Sequence, residues 1–162
     1  MNPAHVNQSS TTDSSCLSCA IVLGERPTLG GTIVETGGFH AHQDIAYPIP
    51  GLVIVASKRH IKALDELTGD EAAEFMALVH AIRVQQRQVL GIEHVYYFYN
   101  EDTTHHFHLW MVPRYGWMSR FGRSVESLRP VLLHARDHMN SPEELAEVTR
   151  CAAALRDAMS RS

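Results

Sequence analysis

The chain lacks any long apolar run: nothing in its 162 residues approaches the roughly 20 consecutive apolar positions a membrane-spanning helix needs. It lacks a basic surplus as well. Lys and Arg number 14 against 18 Asp and Glu, a formal net charge of −4, which argues against gripping a duplex nucleic acid backbone. A small nucleotide held in a pocket is not excluded by that balance. The opening residues are polar and carry no apolar signal-peptide segment, so the cytoplasm is the expected compartment. Cysteine is scarce: Cys16, Cys19 and Cys151. An odd count with one Cys-x-x-Cys pair is not a disulfide framework. Internal repeats are absent, and the length leaves no room for a second sizeable domain.

What the chain does have is ordinary globular patterning. Hydrophobic residues make up 44% and charged residues 20%, enough for a core. Residues 1–15 are dominated by Ser, Thr, Asn, Gln and Asp and read as a disordered lead-in. Thr32 to Thr36 and Phe39 to His42 read as a hairpin, with Gly37-Gly38 supplying the positive φ angles of a tight turn. Leu52 to Ala56 is an apolar, β-branched run, expected as a central strand buried on both faces.

Thr68-Gly69-Asp70-Glu71 fits a capping box that opens a long helix. Phe75, Leu78, Val79, Ile82, Val89 and Leu90 form its apolar stripe, and Gly91 stands where a C-terminal cap belongs. Val95 to Tyr99 and His105 to Val112 read as further strands. The fold class is therefore α+β: a five-stranded antiparallel sheet with one long helix, plus extra C-terminal helices. Pro130 to Met139 reads as a short helix. Ser141-Pro142-Glu143-Glu144 caps another, whose stripe of Leu145, Val148, Ala152, Leu155 and Met159 must be buried on the domain or on a second subunit.

The segment His105-His106-Phe107-His108-Leu109-Trp110 carries the chemistry. Side chains alternate along a strand, so His106, His108 and Trp110 share one face. Imidazole titrates near neutral pH and serves as nucleophile, acid, base or metal ligand. A surface strand that merely happens to be rich in histidine is the bland alternative.

His106-Phe107-His108-Leu109-Trp110-Met111-Val112-Pro113-Arg114 resembles the histidine triad motif. Asp44-Ile45, Pro50 to Val55 and Lys58-Arg59-His60-Ile61 are similar to that superfamily's upstream segments, in the same order. The resemblance covers residues 16–115 and implies a HIT-like domain there. Residues 116–162 would form a helical extension packed on the domain or on a dimer partner.

By resemblance, His108 is the middle histidine, which attacks an α-phosphorus and forms a nucleotidyl-histidine. One hard displacement thereby becomes two easier ones. The resemblance assigns Asp44 to the ribose hydroxyls and Ile45 to the base pocket; a turn residue at the strand end is the bland alternative for Asp44. Asn100, Thr103, Thr104 and His106 would border the phosphate. Trp110 occupies the third triad position. Tryptophan offers one N–H and no ring lone pair, which leaves water or phosphate open as acceptor. It can stack on a base, shield the intermediate, or be core. A two-fold homodimer through the long helix and the last strand is also implied.

Cys16 and Cys19 can place two thiolates on one ion, and tetrahedral zinc wants four sulfur or nitrogen ligands. In zinc-bearing triad proteins the set would be Cys16, Cys19, His60 and His106, with the zinc structural; a redox dithiol or two free thiols are the alternatives. No organic cofactor is expected. The leading reading is a hydrolase or nucleotidyl transferase acting on a dinucleoside polyphosphate, such as diadenosine tetraphosphate, or on a nucleoside phosphoramidate. A nucleotide-binding regulatory protein with little or no turnover is the alternative. A zinc hydrolase using His106 and His108 as ligands is disfavoured, because no metalloprotease helix motif is present. His40 and His42 share a strand face near Asp44 and can border the pocket. Cys151 reads as a small buried apolar residue.

Overall fold

The structure is a computed structural model that describes residues 15–103 and 105–162. The expected lead-in lies outside the described residues except for Ser15, and so does Thr104. Among the described residues no helix is long and apolar enough to cross a membrane.

Five strands form one antiparallel sheet: β1 (Thr32–Glu35), β2 (Phe39–Gln43), β3 (Val53–Ser57), β4 (Val95–Phe98) and β5 (His108–Pro113). Their spatial order is β1-β2-β3-β5-β4. Every residue of β3 is buried, as its β-branched, apolar sequence requires of a central strand. β5 lies inside the sheet, between β3 and β4. The last strand therefore cannot be the edge on which a partner's sheet continues; among the described residues the sheet edges are β1 and β4.

The hairpin between β1 and β2 forms, but not through the chemistry expected of Gly37 and Gly38. Neither has a positive φ. The pair instead makes room for Glu74: the Gly38 amide donates to Glu74 Oε1 at 2.9 Å, and a Cβ on Gly38 would stand 3.0 Å from Glu74 Oε2. The expected strand from His105 is also shorter, beginning at His108. Phe107 is drawn out of register, its amide donating to the Ile61 carbonyl at 2.7 Å.

The long helix α2 (Gly69–Leu90) starts on the Thr68–Glu71 capping box and ends at Gly91 in the left-handed conformation, φ 65°. Phe75, Leu78, Val79 and Ile82 are buried against the sheet, whereas Val89, counted in the stripe, is 42% exposed. Helix α3 (Leu128–His138) follows, and then α4 (Pro142–Met159), which opens on Ser141 and Glu144 as its cap predicts. Val148, Ala152 and Leu155 of α4 are fully buried. That stripe is satisfied within this chain, beside α2 and against β1. Arg156 fastens it, its Nε donating to the Thr32 carbonyl at 2.6 Å. Helix α3 takes the opposite face, where Leu128, Val131, Leu132 and Ala135 pack with Ile54 and Val112. The sheet thus has α2 and α4 on one side and α3 on the other.

Candidate active site

Strand register decides which side chains meet beneath α3. His40 pairs with Ala56, and Ala56 with His108; His42 pairs with Ile54, and Ile54 with Trp110. Because faces alternate along each strand, these two rows lie on one face of the sheet. A cavity of about 630 Å³ opens over them, within the usual range for small-molecule sites. His42, Asp44, Ile45, Asn100, Thr103, His108 and Trp110 all line it.

His108 is 9% exposed. Its Nδ1 donates to the His106 carbonyl at 2.8 Å. That bond fixes the tautomer and leaves the Nε2 lone pair free. Trp110 packs in an aromatic wall, its ring centroid 5.4 Å from Tyr47, 6.0 Å from Phe98 and 6.2 Å from His108.

Asp44 combines a turn role with a cavity position. Its Oδ1 accepts from the amides of Ala46 and Tyr47, both at 2.7 Å, while Oδ2 has no hydrogen bond among the described residues. Burial raises its pKa above the ordinary carboxylate value, against the pull of those two amides. Thr103 Oγ1 donates to Asn100 Oδ1 at 2.7 Å, tying the link before β5 to the end of β4. Thr104, expected beside them, lies outside the described residues.

His106 is not among the residues that line the cavity. It belongs to a second cluster with Cys16, Cys19 and His60, whose ligand atoms lie within 4.8 Å of one another. His106 Nδ1 stands 3.4 Å from Cys16 Sγ, 3.5 Å from Cys19 Sγ and 3.3 Å from His60 Nδ1, and Cys19 Sγ is 3.2 Å from His60 Nδ1. Tetrahedral zinc, with bonds of about 2.3 Å to sulfur and about 2.0 Å to nitrogen, sets ligand separations of roughly 3.3–3.8 Å. These four separations, 3.2–3.5 Å, lie close to the edges of that polyhedron. His106 Nε2 donates to the Ser57 carbonyl at 2.7 Å, so Nδ1 presents its lone pair to the thiols, the tautomer a metal ligand requires. Burial is the main cause that lowers the pKa of His106, with the neighbouring His60 and His108 acting the same way and the Ser57 bond opposing them.

The supports of this cluster are local. Cys16 caps α1 (Leu17–Val22), and Cys19 sits in its first turn. The turn that carries His60 is held by Arg59, which grips both oxygens of Glu71 at 2.8 Å. Glu71 also closes the capping box of α2.

No family model matches the chain, and no curated protein matches it. Solved structures do. A zinc-bound histidine triad family protein from Mycobacterium smegmatis is 25% identical, with a TM-score of 0.64 over 91% of this chain and 98% of that one. A hypothetical histidine triad nucleotide-binding protein from Sulfolobus tokodaii is 16% identical, with a TM-score of 0.66 over 90% and 93%. This is the histidine triad fold. A HIT family protein from Bacillus subtilis shares it at 23% identity and a TM-score of 0.60, over 86% of this chain and 96% of that one.

Coverage of 91% is more of the chain than residues 16–115 contain, so likeness to the histidine triad fold runs into the C-terminal helices. Those helices also reach the site. Leu128, Arg129, Leu132 and Leu133 of α3 and Leu17 and Ile21 of α1 line the cavity. None was singled out from sequence, where Pro130 to Met139 reads only as a short helix and nothing shows which face of the sheet it covers. Arg129 is the one Lys or Arg in the lining.

Proposed function

We propose that this protein is a nucleotide hydrolase or nucleotidyl transferase in which His108 attacks the α-phosphorus of a dinucleoside polyphosphate or nucleoside phosphoramidate. The observation that carries the reading is the state of His108. Its Nδ1–H is committed to the His106 carbonyl, so Nε2 holds a lone pair beside a nucleotide-sized cavity. Attack forms the Nε2–P bond as the bond to the leaving group breaks, a polyphosphate leaving as the anion and the amine of a phosphoramidate with a proton taken from solvent. Water or phosphate then takes the nucleotide. The named nucleotide-binding neighbour from Sulfolobus tokodaii supports the substrate class.

Asp44 Oδ2 is the acceptor for the ribose hydroxyls, Ile45 and Trp110 flank the base, and Asn100 and Thr103 border the phosphate. Arg129 supplies the cation for its charge. His106 contributes to this site through its carbonyl. The Cys16, Cys19, His60 and His106 set is read as a structural zinc site, in which the ion would hold α1 against the segment that carries His108. The zinc-bound neighbour and the cluster's spacing support that assignment. Reduced cysteines fit a cytoplasmic protein. A homodimer is proposed through α2 and the free β4 edge, where Tyr97 is 51% exposed.

The test is turnover of diadenosine tetraphosphate and of an adenosine phosphoramidate, with and without inorganic phosphate. His108→Ala should lose activity by roughly three orders of magnitude or more. Dependence on phosphate identifies a phosphorylase. A second reading, a regulatory nucleotide binder, draws on Trp110 at the third triad position. It predicts tight binding and no product from the wild-type protein.

A further inference from the structure

Release of a nucleotide from His108 to water needs a base, and Trp110 cannot be one, because its only ring nitrogen holds a proton. The base must also stand across the phosphorus from His108, since the attacking water enters opposite the bond that breaks. Strand β2 forms that opposite wall. Two strand spacings, roughly 9.5 Å, separate its backbone from that of β5. Ala56 lies between His40 and His108, and Ile54 between His42 and Trp110. That span has room for a phosphoryl group and one water in line.

His42 lines the cavity from this wall and is 3% exposed. It ends a hydrogen-bonded line. Thr32 Oγ1 is 3.1 Å from His40 Nε2, and His40 Nδ1 is 3.1 Å from His42 Nδ1. Glu35 Oε1, 3.7 Å from the same His40 Nε2, favours a proton on that nitrogen. His40 Nδ1 then accepts from His42 Nδ1–H, and the lone pair of His42 stands on Nε2. That nitrogen has no hydrogen bond among the described residues. A hydrogen-bonded partner that fixes one imidazole, which fixes a second, holds a histidine base in its working tautomer.

We infer, resting on the His108 chemistry proposed above, that His42 is the general base for the water that releases the nucleotide, with His40 as its positioning residue. His42 Nε2 takes a proton from water as the water oxygen bonds to phosphorus. The Nε2–P bond to His108 breaks, and its electron pair returns to His108 Nε2. The nucleoside monophosphate leaves, His108 is again neutral with Nδ1–H on the His106 carbonyl, and His42 returns its proton to solvent. Burial holds the pKa of His42 at about 3, with His40 and His108 pushing the same way. The resting ring is therefore unprotonated at neutral pH, and the negative charge of a nucleotide bound to His108 favours the proton it takes during release.

The experiment is single-turnover and steady-state kinetics with diadenosine tetraphosphate, following both product and acid-labile adenylyl-protein. His42→Gln should still form the adduct but release it slower by roughly 10²–10⁴-fold, so the adduct becomes the main form at steady state. His40→Gln should slow release in the same direction but less. His42→Ala should recover release as imidazole is added, which a purely structural loss would not show and which serves if the Gln variant folds poorly. Release from His42→Gln at the wild-type rate, or equal slowing of adduct formation and release with no imidazole rescue, overturns the inference while leaving His108 in its role. Absence of any adduct on the wild-type protein removes the proposed chemistry, and the role of His42 with it.

Discussion

Burial sets the charge of the histidines on β2. His40 and His42 both have lowered pKa values, chiefly because the interior disfavours a cation. Glu35 favours and Lys58 opposes protonation of His40, while His40 and His108 oppose it at His42; Asp44 and Arg129 line the cavity with His42. Between the ordinary value near 6.5 and about 3, His42 binds a proton in the unfolded chain but not in the folded one. Its contribution to stability is therefore fully present above about pH 6.5 and is lost as pH falls through that window. Urea unfolding from pH 7 to 4 should show a decline that His42→Gln flattens by up to about tenfold in the folding equilibrium constant per pH unit. An unchanged slope would mean that the ring is not buried neutral.

At the same scale, Asp44 shows how far sequence could be read. Its turn role and its cavity role were posed as alternatives, and the structure has room for both, one oxygen for each. His106 was given two roles as well, and only the cluster role involves its ring. The difference arises because Phe107 bonds to Ile61 and β5 starts at His108, three residues after the His105 start expected from sequence.

Elements whose cause is local were legible. The capping boxes at Thr68 and Ser141 and the Gly91 cap lie where their residues indicate, because each is satisfied within a few positions. Features set by distant partners were not. Gly37-Gly38 owes its role to Glu74 on α2, and the contribution of α3 to the cavity depends on which face of the sheet it covers. Two predictions belong here. Arg129→Ala should raise KM for diadenosine tetraphosphate about tenfold, with a smaller change for a single-phosphate phosphoramidate, because a charge-assisted bond is worth about 1.5–3 kcal/mol. Equal effects on both substrates would remove Arg129 from the polyphosphate. Leu155→Ala, on the fully buried stripe of α4, should cost about 2–5 kcal/mol in denaturant unfolding. Gly30→Ala should also destabilise, since a Cβ there would lie 2.6 Å from Ala152 Cβ at a φ of +77°.

For the whole molecule, the Cys and His cluster joins three separate stretches of chain: α1, the turn after β3 and the approach to β5. Bound zinc should register by elemental analysis at one ion per chain and fall below one in Cys16→Ser and Cys19→Ser. Chelation should lower the thermal midpoint, with activity lost only as structure is lost. Immediate loss of turnover in a fully folded chelated protein would instead indicate a catalytic ion. Sedimentation should report a dimer, and a charged residue in place of Tyr97 on the β4 edge should shift it toward monomer.

The central claim is that His108 becomes covalently nucleotidylated. Rapid quenching of the wild-type protein with diadenosine tetraphosphate, followed by peptide mass spectrometry under conditions that spare phosphoramidates, tests it most directly. An adenylyl group on His108, absent from His108→Ala, is the predicted result. A protein that binds the nucleotide and turns it over without any adduct on His108 would contradict the account.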